Sequence, residues 1–186
     1  MKKLTSLIVF LVFLGCEKAP NNDLFKTTDG EYASRMGNFV AKFPEKPFHY
    51  IARKRNPEHI DTYLEFHSIE TNFEDKGIYI VEYLDLNEES LKKNTSREHK
   101  DSMLMQINLT LQELDFVIDY FEDDKLQGHD AVFFQFKPVG NRKRFNLKDR
   151  VEGKAILRKN RLYYVYYIGE INRRAKQFIK SFRFTN

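Results

Sequence analysis

The chain has 186 residues, a formal net charge of +4, 41% hydrophobic residues and a single cysteine. That length suits one domain of ordinary size with a core that needs no disulfide, and one cysteine excludes both an intrachain disulfide and a cysteine-built metal site. Its eight glycines are scattered, with no phosphate-cradling loop and no Gly-x-Ser-x-Gly elbow, so nothing supports a nucleotide-binding protein or a serine hydrolase.

The first element is a leader. Lys2 and Lys3 are followed by the apolar run Leu4 to Leu14, which Glu17 and Lys18 cut short. A membrane-spanning helix needs about 20 apolar residues, so this run is a secretory signal rather than a span. Phe13-Leu14-Gly15-Cys16 is similar to the lipobox of bacterial lipoproteins. The resemblance implies that residues 1–15 are removed and that the Cys16 thiol takes diacylglycerol. It places the protein in the cell envelope, lipid-anchored to the outer or inner membrane, on the periplasmic side or at the cell surface. Two or more acyl chains hold a protein durably on a bilayer it does not cross. Residues 16–36 open on a polar stretch, Glu17 to Asp23, and are expected to be a flexible tether. Residues 37–186 are expected to be the folded domain.

Charge is unevenly spread along the mature chain. Residues 17–136 carry 14 Lys and Arg against 24 Asp and Glu, a net −10, while residues 137–186 carry 15 against 3, a net +12. Acidic strands paired beside basic ones would cancel most of this in space.

Asn38 to Phe43 alternates, with Phe39, Ala41 and Phe43 on one side. His49 to Lys54 and Thr62 to Ile69 read as strands around a turn at Asn56-Pro57, and Ile78 to Leu84 as a third, rich in β-branched and aromatic residues. The period then changes. From Ser96 to Leu114 the residues Met103, Leu104, Ile107, Leu111 and Leu114 recur at helical spacing, with Met105 and Leu109 off the stripe. Phe116 to Phe121 and Val132 to Phe136 return to strand character around Gly128. Val151 to Arg158 and Leu162 to Ile168 form a hairpin with Lys159-Asn160 at its tip. Both parities of its second strand are apolar, which predicts cover on both faces. Ala175, Phe178, Ile179 and Phe182 then make a short amphipathic helix after Asn172. The expected fold is α+β: an antiparallel sheet sandwiched by a long helix and a C-terminal helix.

The opening Phe39-Val40-Ala41-Lys42-Phe43-Pro44 resembles the first strand of the PsbP-like family. The order of elements matches too, through Tyr79-Ile80-Val81-Glu82-Tyr83 and Asn160-Arg161-Leu162-Tyr163 to the closing Ala175-to-Phe184 segment with its Ser181-Phe182. This likeness covers residues 37–186. It implies that fold and, since family members bind and stabilise protein complexes, a binding role.

The residues that could carry chemistry are few. The histidines are His49, His59, His67, His99 and His129, and no pair has the His-x-x-x-His spacing of a helical metal site. His49 and His67 fall on neighbouring strands, where they can meet beside a carboxylate. Histidines so placed are ordinarily hydrogen-bonded or at the surface, and no metal site is assigned. Glu122-Asp123-Asp124 lacks the alternation of a calcium loop and reads as a solvated turn. The late aromatics, Phe133, Phe134, Phe136, Tyr163, Tyr164, Tyr166 and Tyr167, read as core. The segment Pro138 to Lys148 is long for a loop and holds Arg142, Lys143, Arg144 and Phe145, a candidate docking site for an acidic protein or lipid head groups. No catalytic residue and no cofactor are assigned. The leading expectation is a non-enzymatic, lipid-anchored binding or assembly module. Its partner would be a protein or an acidic membrane surface, and not nucleic acid. A periplasmic carrier of a small apolar ligand, using a cleft between sheet and helix, is the second; a cleft lined by Tyr and Phe would favour it.

Overall fold

The computed structural model describes residues 17–18, 23–55, 63–73, 77–87, 91, 95–139 and 148–185. Along them run β1 (Glu17–Lys18), β2 (Leu24–Lys26), β3 (Tyr32–Ser34), β4 (Phe39–Ala41), β5 (Phe48–Arg55), β6 (Tyr63–Asn72), β7 (Gly77–Asp85), α1 (Ser96–Gln112), β8 (Phe116–Leu126), β9 (His129–Pro138), β10 (Arg150–Arg158), β11 (Arg161–Gly169), α2 (Arg173–Ser181) and β12 (Arg183–Phe184). Eight strands pair in the order β1-β5-β6-β7-β11-β10-β9-β8, and four in the order β12-β4-β3-β2. Neighbouring strands are antiparallel throughout.

β11 is apolar on both parities, and that pattern organises the molecule. Leu162, Tyr164, Tyr166 and Ile168 enter one core with Ile80 and Leu84 of β7 and Met103, Ile107 and Leu111 of α1. Tyr163, Val165 and Tyr167 enter another with Tyr79, Val81 and Tyr83 of β7, Phe39 and Ala41 of β4, and Ala175, Phe178 and Ile179 of α2. Successive strand residues point to opposite faces, so the two cores lie on opposite sides of the large sheet.

Local chemistry fixes the element ends. Thr95 caps α1 in a reciprocal capping box with Glu98, and the Asn172 side chain accepts from the Ala175 N–H to cap α2. Such caps satisfy backbone donors that the first helical turn leaves unpaired. The β8–β9 hairpin turns through Gln127 and Gly128, both at positive φ, as a tight two-residue turn requires. Met105 and Leu109, off the helical stripe, are exposed.

Three expectations need correction. The stretch 16–36 is not tether throughout: β2 and β3 pair with each other and with β4, and Asp23 is buried. The described fold resumes at residue 23, ahead of residue 37. The face carrying α2 is shared with the second sheet, so strands dominate and that helix is not its sole cover. Glu122-Asp123-Asp124 is not a turn but part of β8, a sheet-edge strand. Lys100 of α1 meets Asp123 at 2.7 Å and Lys154 of β10 meets Asp124 at 2.7 Å. Charged residues are at home on a sheet edge, where they also discourage edge-to-edge pairing.

Candidate functional site

Cys16 and the segment Arg142, Lys143, Arg144 and Phe145 lie outside the described residues. Among the described ones, the most concentrated polar chemistry is where the second sheet meets β5, β6 and β7. The register sets His49 opposite Ile69 and Ile51 opposite His67. The two histidines are therefore diagonal neighbours on one face, within reach of each other. His49 Nε2 and His67 Nδ1 are 3.1 Å apart, one donating and the other accepting according to tautomer.

Behind His49 stands Asp23. Its Oδ2 lies 2.9 Å from His49 Nδ1, with side-chain exposures of 0% for Asp23 and 5% for His49. The contact is close but poorly directed, and His49 Nδ1 makes no well-formed hydrogen bond. Asp23 also organises the chain around it. Its Oδ2 accepts from Ser34 Oγ at 2.8 Å and its Oδ1 from the Met36 N–H at 2.6 Å, while Ser34 Oγ accepts from the Gly37 N–H at 2.8 Å. Burial pushes the Asp23 carboxyl up, but His49, the Met36 amide and Ser34 together hold it below the usual carboxylate range.

His67 is half-buried and stacks on Tyr83, with centroids 4.6 Å apart and planes 1° from parallel. Burial lowers its pKa below the ordinary histidine value, and the neighbouring His49 and Arg161 add to that. The Arg161 guanidinium lies 4.9 Å from the Tyr83 centroid and grips Asp85 through Nε at 2.6 Å and Nη2 at 2.7 Å. Its Nη1 donates to the Met36 carbonyl, and the Tyr163 hydroxyl donates to the Gly37 carbonyl at 2.9 Å. The chain at 34–37 is thus held from one side by Asp23 and from the other by Arg161 and Tyr163.

The cluster is a run of close polar contacts, Asp23 to His49 to His67, ending on a half-buried ring. Ser34 Oγ donates to the carboxylate, not to either histidine. No group of three or more His, Cys, Asp and Glu among the described residues is arranged to hold a metal ion. The sequence brings out the His49–His67 meeting; it gives no sign of Asp23, Tyr83, Asp85 or Arg161, whose roles depend on contacts between distant segments.

A second feature is a cleft of about 340 Å³ between α1 and the β9–β10 end of the sheet. His99, Lys100, Met103, Gly128, His129, Asp130 and Leu157 line it. Neither Tyr nor Phe is among them, and the lining is largely polar.

No family model matches the chain, and no curated protein matches it. Among solved structures, the chain is similar to the solution structure of cyanobacterial PsbP (CyanoP) from Synechocystis sp. PCC 6803. The two are 10% identical and superpose with a TM-score of 0.53 over 91% of this chain and 97% of that one. The fold is PsbP-like. The matched share is larger than residues 37–186, so the PsbP-like likeness takes in part of the chain before residue 37, consistent with β2 and β3 belonging to the domain.

Proposed function

We propose that this chain is a lipid-anchored, non-enzymatic binding or assembly module of the bacterial cell envelope. It is tethered through Cys16 and docks on a protein or acidic membrane partner. The observation that carries the reading is the position of the lone cysteine. It follows Lys2, Lys3, the Leu4-to-Leu14 run and Gly15, where lipid transfer requires it. No helix among the described residues is long and apolar enough to cross a membrane. A tether confines the domain near membrane partners and raises their effective concentration. The PsbP-like fold accords with a binding role but does not by itself assign one. Arg142, Lys143, Arg144 and Phe145 remain the proposed docking segment. The apolar-carrier alternative gains nothing from the 340 Å³ cleft, whose lining has no Tyr or Phe.

The test is metabolic labelling with an alkyne-bearing fatty acid, followed by fractionation. The natural chain is expected to carry label and sediment with membranes; Cys16→Ser is expected to lose both. Equal sedimentation of the two would refute the anchor.

A further inference from the structure

We infer that the β1–β5 edge of the large sheet lies against a lipid bilayer, with Phe48 entering it and Lys46 reaching anionic head groups. The inference rests on the lipid anchor proposed above and adds the orientation of the domain upon it.

Glu17 pairs with Ile51 and Lys18 with Tyr50. Cys16 is the next residue, and consecutive Cα atoms are about 3.8 Å apart. A lipid on Cys16 would therefore leave the chain within a residue or so of β5, with no spacer between anchor and sheet edge. That edge is built for an interface. Phe48 is 71% exposed, the highest exposure of any large apolar side chain among the described residues. Lys46, two residues before it, and Arg53, five residues further along β5, are exposed. Acids are present too: Glu17 on β1, the exposed Glu45, and Glu65 of the neighbouring β6, which pairs with Arg53 at 3.0 Å. An exposed aromatic ring with Lys46 beside it suits the boundary between acyl chains and anionic head groups.

The opposite edge is the control. β8 exposes Ile118, Tyr120 and Phe121, but it lies seven strands from the anchor, and its acids Asp119, Asp123 and Asp124 take up the nearby Lys137, Lys100 and Lys154, which leaves Glu122 facing any anionic lipid. Seven strand spacings of about 4.8 Å separate the two edges, roughly 30 Å, so only one can touch the bilayer at a time.

The lipidated sulfur is blocked, so an introduced cysteine is the one free thiol. The lipidated full chain, as Glu45→Cys or as Glu122→Cys, is labelled with a small fluorophore and reconstituted in phosphatidylglycerol/phosphatidylethanolamine vesicles doped with nitroxide lipid. Both positions are exposed, so the fold should survive either change. The label on Glu45→Cys is expected to be quenched at least two-fold and that on Glu122→Cys hardly at all. Adding Phe48→Ser should relieve much of the quenching at the first position. Flotation with the vesicles but equal, reversed or absent quenching would overturn the orientation and leave the anchor standing. Failure of the lipidated chain to float would overturn both.

Discussion

Arg161 and Asp85 face each other across the β7–β11 register and close a two-pronged ion pair. The Asp85 side chain is 54% exposed and that of Arg161 21%, so solvent screens the pair and its own contribution is at most about 1 kcal/mol. Arg161 does more than pair, because it also holds the Met36 carbonyl and covers Tyr83. Asp85→Ala is therefore expected to cost less than about 1 kcal/mol in urea unfolding. Arg161→Ala should cost about 1–2 kcal/mol more, the scale of a lost charged hydrogen bond plus packing. Equal costs would mean that the Met36 contact contributes nothing.

His67 makes stability depend on pH. His67 has a lowered pKa in the folded state, so below about pH 6.5 the unfolded chain binds a proton that the native one resists. Its contribution is fully present above that pH and is lost as pH falls towards the folded value. The charged and titratable groups around it are Asp23, His49, Tyr83, Asp85 and Arg161. Asp23, also lowered, adds a second loss as pH falls through its own folded value, below the ordinary carboxylate range. His67→Gln keeps a partner for His49 but cannot charge. Unfolding free energy plotted against pH should be flatter for this variant between pH 6.5 and 5, by up to about 1.4 kcal/mol per pH unit. Parallel curves would show that His67 titrates alike in both states.

β10 and β11 approach too closely for a side chain at Gly153. A Cβ there would lie 2.4 Å from the Tyr166 Cβ and 2.5 Å from the Val165 carbonyl oxygen, on the paired strand. Gly128 is the contrast, with open space around it but φ at +82°. Gly153→Ala should cost about 2–3 kcal/mol by overpacking, and Gly128→Ala about 1 kcal/mol by backbone strain. Thermal unfolding of both ranks them; a Gly153→Ala milder than Gly128→Ala would show that the strands separate easily there.

Legibility in the sequence follows element length. β11, its hairpin with β10, and the helix after Asn172 declare themselves, because nine residues suffice to show a period of 2 or 3.6. β2, β3 and β12 span two or three residues and show no period at all. Their pairing comes from Leu24, Tyr32 and Phe184 packing on a core supplied by distant segments. The same limit hides the site. His49 and His67 are placed by their own strands, whereas Asp23 reaches His49 only because β2 and β3 fold back onto the large sheet. Asp123 and Asp124 mislead for a related reason: three acids in a row suggest solvent, and the lysines that neutralise two of them come from α1 and β10.

The domain boundary gives the sharpest test of that difference. A chain starting at residue 37 keeps every long element but loses β2, β3, the Asp23 carboxylate against His49 and the Met36 carbonyl that Arg161 holds. It also bares one edge of β4, whose three residues are all buried. A chain starting at residue 23 keeps all of these. The 23–186 chain is expected to melt within about 2 °C of the 16–186 chain. The 37–186 chain should lose roughly 4 kcal/mol, about 10 °C, or fail to stay soluble. Calorimetry of the three side by side decides it: matching melting temperatures for 23–186 and 37–186 would mean that β2 and β3 decorate the domain without stabilising it.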